Sequence, residues 1–280
     1  MADIYAGIAL LSVVTGAMFF LARFAASRLS RYGTEFLGGC MLALMVAYGA
    51  ELWDDVTLAR ILPYSNLIVI GNWFPPAFGF LAGLAWSRES SGYTRRTIGV
   101  GLLATVAIAS VWQPLYGSPP KCSDLWRNGV CIQTTPASCS AACAATLLRK
   151  HGIDATEREM TELCLTRNGT TWQGLYRGLM QKTRGTPWTV EIFRHTLKEL
   201  REMPETPKIL IVELEAGAGV DPRYERQWGW IPGQSHAVVL MGFRADERVE
   251  IGDPAVGREY WTEHDMQVLW HGVGLRLIPR

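Results

Sequence analysis

Cys139, His236 and Asp253 are the residues of this chain whose types and settings could together do nucleophilic chemistry. Cys139 opens the run C-S-A-A-C-A-A-T-L-L-R-K-H, which predicts a helix stopped by Gly152. A thiol attacks as thiolate, and a helix N-terminus favours negative charge. Ser140, Ala141 and Ala142 are small enough to let a substrate approach that helix end. Cys143 lies one turn deeper, where a packing role is natural. A thiolate also needs an imidazole, and the imidazole needs an orienting group. His236, in Q-S-H-A-V-V-L-M-G-F, stands at the mouth of an apolar strand, and V-E-I-G-D-P then ends in Asp253-Pro254. If these strands pair antiparallel, Asp253 lies beside His236, fixes its tautomer and favours imidazolium. Gln133, six residues before Cys139, could join the Cys139 backbone N–H in meeting a developing oxyanion. Each residue alone has a plainer explanation as a surface, turn or linker position. Their joint occurrence in this order is the signal.

The elements that must position them follow from periodicity. Helical pieces are expected over Cys139–His151, Thr156–Leu165, Gly169–Lys182 and Ile192–Met203. Strand-like runs follow at Ile209–Leu214, Ala237–Phe243, Val249–Ile251 and Leu275–Ile278. Helices first and strands afterwards predict an α+β domain with an antiparallel sheet. Gly217–Gly233 reads as a long aromatic loop just before His236. Loops on a rigid scaffold commonly shape specificity, so Trp228 and Trp230 are candidate substrate contacts, with packing of the loop as the alternative. Cys122 and Cys131, nine residues apart, predict a disulfide across a short loop. Cys143 and Cys164 are either a second pair or buried thiols. The Cys122/Cys131 spacing is unlike a zinc site and lacks an accompanying His, so no metal and no cofactor are expected.

The first 116 residues are different in kind. Of 280 residues 49% are hydrophobic, and the apolar ones concentrate there. A membrane-crossing helix needs about 17–25 apolar residues. Four runs qualify: 4–22, 36–53, 61–87 and 97–116. The third contains Pro63, Pro75 and Pro76, so a broken or re-entrant helix is expected there. Glu51 sits at a span end. Arg23, Arg28 and Arg31 fill the first loop and Arg88, Arg95 and Arg96 the third, whereas the second has Arg60 alone. Basic loops stay cytoplasmic, so everything after Tyr116 is expected outside. Segment 117–130 then reads as a linker carrying the disulfide loop, and 131–280 as the soluble domain. The net charge of +1 gives no reason to expect a nucleic-acid partner.

The segments Q-T-T-P-A-S-C-S-A-A-C-A-A-T-L-L-R-K-H-G, S-H-A-V-V-L-M-G-F and I-G-D-P together resemble the papain-like double-glycine leader peptidases that precede bacteriocin exporters. The resemblance covers Cys131 to the end. It implies a papain-like cysteine peptidase fold, with Cys139 as nucleophile, His236 as base, Asp253 as orienting acid and Gln133 in the oxyanion hole. Its substrate is implied to be a peptide or leader. Ser140 departs from the Gly often found after the nucleophile, and no G-x4-G-K-[ST] loop occurs in the chain, so any exporter or secretion partner is expected to be separate. The expected function is a membrane-anchored, extracytoplasmic cysteine peptidase of a bacterial inner or plasma membrane. A peptidase-like binding module without turnover, or a transpeptidase or acyltransferase using the same residues, are the alternatives.

Overall fold

The computed structural model describes residues 1–88, 93–215 and 219–280. Part of the expected third loop, and Gly217 at the expected start of the aromatic loop, lie outside the described residues. The chain divides into two compact units, Met1–Tyr116 and Gly117–Arg280.

The first unit is helical: α1 (Ala2–Arg28), α2 (Arg31–Glu51), α3 (Thr57–Ile61), α4 (Leu67–Ile70), α5 (Phe74–Arg88) and α6 (Tyr93–Trp112). Among the described residues four helical stretches, Ala2–Arg28, Arg31–Glu51, Leu67–Ser87 and Tyr93–Leu115, are long and apolar enough to cross a membrane. The third is the one most enclosed by the others. It is broken, as its composition suggests. Pro75 and Pro76 begin α5 instead of interrupting it, because the first turn of a helix has no need of their missing N–H groups. Unpaired polar groups around the break cannot rely on water at membrane depth. They are met from within: Asn66 donates to the Asp3 carbonyl at 3.2 Å, Asn72 to the Ser110 carbonyl at 3.0 Å, and the Tyr48 hydroxyl to the Gly71 carbonyl. α5 crosses α1 at Gly79 and Gly83, spaced as small residues are in closely packed membrane helices. A Cβ at Gly79 would stand 2.6 Å from the Thr15 carbonyl oxygen, and one at Gly83 would collide with the Phe19 carbonyl.

The second unit is α+β. A two-stranded ribbon, β1 (Leu125–Arg127) with β2 (Val130–Ile132), precedes α7 (Cys139–Lys150), α8 (Glu157–Leu163) and α9 (Trp172–Lys182). Six antiparallel strands follow with short helices between them: β3 (Trp188–Arg194), α10 (Leu197–Glu202), β4 (Lys208–Glu213), α11 (Arg223–Arg226), β5 (Ser235–Phe243), β6 (Val249–Asp253), β7 (Gly257–Trp261), α12 (Glu263–Leu269) and β8 (Trp270–Pro279). Their order in the sheet is β3-β8-β4-β5-β6-β7. α7 packs on the middle of this sheet through a face of Ala141, Ala144, Ala145, Leu147 and Leu148, all fully buried. The alanines let helix and strand approach closely.

Three expectations are corrected. Ile192–Met203 is not one helical piece: its first residues belong to β3, paired along its length with β8, and the helix starts only after Thr196, whose side chain caps α10. The linker already contains β1. The disulfide is not formed, and all six cysteines are free thiols. The ribbon register explains why: Trp126, not Cys122, faces Cys131, and Cys122 lies four residues up the chain from that position. Cys131 instead points inward, its N–H bonded to the Thr146 hydroxyl at 2.9 Å. Cys143 and Cys164 are buried, unpaired thiols.

Gly83→Val is expected to destabilise the first unit by about 1–3 kcal/mol through overpacking. Gly16→Val on α1, where a Cβ meets nothing within 4 Å, serves as the control. Thermal melts of the two variants in detergent check this, and equal melting temperatures would refute the close crossing.

Candidate active site

β5 and β6 bring the imidazole and the carboxylate together. Val239 faces Gly252 and Leu240 faces Ile251, so the same register carried outward sets Asp253 opposite Val238, on the face shared with His236. The His236 Nε2–H donates to Asp253 Oδ1 at 2.9 Å. That leaves Nδ1 as the ring nitrogen available to a thiol. Asp253 is fully buried, and its other partners are the Ala255 N–H on Oδ1 at 2.8 Å and the Trp230 indole N–H on Oδ2 at 3.1 Å.

α7 delivers the thiol. It is fastened to β5 by the Cys143 thiol, which donates to the Ala237 carbonyl at 3.2 Å, next to His236. One turn earlier, at the first residue of the helix, is half-buried Cys139. Burial pushes its thiol up, but the hydrogen bond and charge of His236 outweigh burial and leave it below its ordinary value. Burial likewise pulls His236 down, and the charge and hydrogen bond of Asp253, helped by Cys139, carry it above its ordinary value. The other thiols of this unit go the opposite way. Burial raises Cys122, sends Cys131 and Cys164 to about 12 and lifts Cys143 well above its ordinary value. Cys139 is therefore the one thiol of this unit held below its ordinary value.

Gln133 sits in the loop between β2 and α7. Its backbone N–H donates to the Pro254 carbonyl at 2.8 Å, which ties this loop to the residue after Asp253. Its side-chain amide spends one hydrogen on the Thr135 carbonyl at 3.1 Å and keeps the second. Its Oε1 is buried without a partner. The neighbouring Thr134 is clamped by Glu157, a fully buried carboxylate that accepts the Thr134 N–H at 2.7 Å and hydroxyl at 2.8 Å.

The two loop tryptophans, expected as candidate substrate contacts, pack against the core of the unit, Trp230 buried and Trp228 partly so. Trp230 is only 5% exposed, its ring centroid 4.5 Å from that of His236. Trp228 packs edge-on against Tyr224 at 5.0 Å and lies under the Arg223 guanidinium. Both side chains are held by the fold, and little of Trp230 is left for a ligand.

Sequence reasoning passed over Glu157 and Glu259. A carboxylate in a polar-looking stretch gives no sign of burial, although in G-R-E-Y-W the alternation that turns Gly257 and Trp261 inward carries Glu259 with them. Glu259 Oε1 accepts the Trp261 indole N–H at 2.7 Å, and Oε2 is buried without a partner. Burial, and then the negative charge of Asp253, push this carboxyl up from 4.5 to about 8. Between those values the folded chain holds a proton that the unfolded chain has released, so stability should fall as pH rises through this window. Glu259→Gln should flatten that slope. Denaturation of wild type and variant at about pH 5 and about pH 8 reads it out, and parallel pH slopes would exclude a protonated Glu259.

Residues 127–213 match the Peptidase C39 family, a stretch that holds Gln133 and Cys139 and stops short of His236 and Asp253. No curated protein matches the chain. Among solved structures it is similar to a double glycine motif protease from an AMS/PCAT transporter, crystallised with the leader peptide, at 17% identity and a TM-score of 0.41, covering 59% of this chain and 96% of that one. It is also similar to the peptidase domain of Streptococcus ComA, a bi-functional ABC transporter involved in quorum sensing, at 20% identity and TM-score 0.42, over 53% of this chain and 96% of that one. The peptidase domain of Streptococcus mutans ComA aligns at 20% identity and TM-score 0.37, over 54% and 99% of the two chains. Over residues 127–213 the chain is thus similar to the Peptidase C39 family.

Proposed function

We propose that the Gly117–Arg280 unit is a cysteine peptidase acting on peptide or leader substrates through Cys139, His236 and Asp253. The family match supports a cysteine peptidase in general. The observation that carries the finer reading is the partly buried His236, bonded to Asp253 through Nε2 and holding the Cys139 thiol below its ordinary value. In this reading the Cys139 thiolate adds to the peptide carbonyl carbon, and the carbonyl π-electrons move onto oxygen. The second N–H of the Gln133 amide and the Cys139 backbone N–H, one of the unpaired donors of the first helical turn, meet that oxyanion. His236 as imidazolium gives its proton to the leaving amine, and the C–N bond breaks to leave a thioester. Neutral His236 then takes a proton from water as the hydroxyl oxygen attacks the thioester. The tetrahedral species expels the thiolate, the carboxylic acid gives its proton to solvent, and the thiolate–imidazolium pair returns. Asp253 keeps the ring in place throughout.

Four membrane-compatible helices and the Arg-rich first and third loops support an integral membrane protein with this unit on the extracytoplasmic side. A double-glycine leader is the proposed substrate, and an exporter or secretion complex made by another chain the proposed partner.

Iodoacetamide labelling of Cys139 in the detergent-solubilised chain tests the pair. At neutral pH His236→Ala should slow it by up to about 30-fold, the ratio between a fully ionised thiol and an ordinary one. Cleavage of a double-glycine leader peptide should fall by about 10²–10⁴ in the same variant. Equal labelling of wild type and variant would end the proposal. In intact cells a membrane-impermeant maleimide should reach Cys139, and labelling seen only after lysis would reverse the assigned side.

A further inference from the structure

Asp253 is sealed from solvent, and its two oxygens are satisfied unequally. Oδ1 takes His236 and the Ala255 N–H, whereas the hydrogen bond at Oδ2 comes from the Trp230 indole at 3.1 Å. An indole N–H can only donate, so the direction of this contact carries no ambiguity of tautomer. The same ring, 48° from the plane of His236 with centroids 4.5 Å apart, covers the imidazole and keeps water from the His236–Asp253 bond. Trp230 belongs neither to the sheet nor to α7. It arrives on the segment that carries α11 and is seated there by its backbone N–H on the Tyr224 carbonyl at 2.9 Å. Ring contacts add to that seat, with Tyr224 at 5.2 Å and Trp261 at 6.0 Å, and Tyr224 itself is fully buried.

We infer that Trp230 is a positioning residue of the catalytic site, holding Asp253 aligned on His236 from a loop, so that the competence of Cys139 depends on that loop being seated. The inference rests on the triad proposed above and adds a fourth side chain to it. Without the indole, Oδ2 becomes a buried acceptor with no donor, and the carboxylate is no longer held in line with His236. The imidazolium then loses its counter-charge, and with it the thiolate.

The test is the pH dependence of Cys139 alkylation by iodoacetamide in the full chain, comparing wild type, Trp230→Phe and His236→Ala. Phenylalanine keeps a covering ring and removes the donor. Trp230→Phe should shift the acid limb of the rate upward, lowering the rate at about pH 6 by about tenfold, the worth of a hydrogen bond to a charged group. At about pH 9, where an ordinary thiol is itself largely ionised, the change should stay within about twofold. Trp188→Phe, on β3, should leave the curve as in wild type. An unchanged curve for Trp230→Phe, or an equal loss at both pH values, would overturn the inference and reduce Trp230 to packing. If wild type itself shows the pH dependence of an ordinary thiol, indifferent to His236→Ala, the triad falls and the inference with it. Should Trp230→Phe fail to fold, the wild-type indole decides: its N–H resonance should resist solvent exchange and move when Cys139 is alkylated, and an immobile resonance counts against the role.

Discussion

A carboxylate with no access to water must find donors for both oxygens, or it will take a proton or unfold its surroundings. In the C-terminal unit that demand is concentrated on Asp253, and much of the local architecture is its answer. The β5–β6 register supplies His236, the turn into β7 supplies the Ala255 N–H, and a loop from outside the sheet supplies an indole. Once these are in place the imidazole is raised and the neighbouring thiol is lowered. The Cys139 thiol is thus tuned through His236 by Asp253.

The other half of the arrangement is a matter of distance. A helix can aim its N-terminus at a strand end only if its face is small, and the alanines of α7 allow this. Cys143 then fastens the helix to the carbonyl beside His236. A larger residue on that face would lift Cys139 away from the imidazole. Five cysteines in this unit consequently differ by environment alone. Four are pushed toward the neutral thiol by burial, and one is drawn toward the anion by a neighbouring charge.

Much of this could be seen in the sequence, for identifiable reasons. Cys139 at a helix start, His236 at a strand mouth and Asp253 before a proline are local signatures, and antiparallel pairing of adjacent strands follows from a short connection. The α+β sheet and the four long apolar runs were legible by the same periodicity. What failed depended on facing direction and on partners distant in the chain. Trp230 was visible as a loop aromatic, but only the folded sheet shows that it turns toward Asp253. Glu157 and Glu259 look like ordinary surface carboxylates until the elements around them close. Trp188–Arg194 gained strand character by pairing with β8, more than seventy residues later, which no local window could anticipate. The expected disulfide rested on spacing, and spacing says nothing of the register that put Trp126 across from Cys131.

The hydrogen bond from the Gln133 backbone to the Pro254 carbonyl joins two arms of the site that arise 120 residues apart. One arm carries the amide proposed for the oxyanion, and the other carries the carboxylate that holds His236. Because a single peptide unit couples them, they behave as one rigid frame and not as two adjustable parts. Substitutions at Gln133 and Asp253 should therefore not combine by simple multiplication of their separate effects. An insertion anywhere in the turn after Asp253 would disturb oxyanion geometry and base orientation together, so that turn has less freedom to vary in length than its place between two strands suggests.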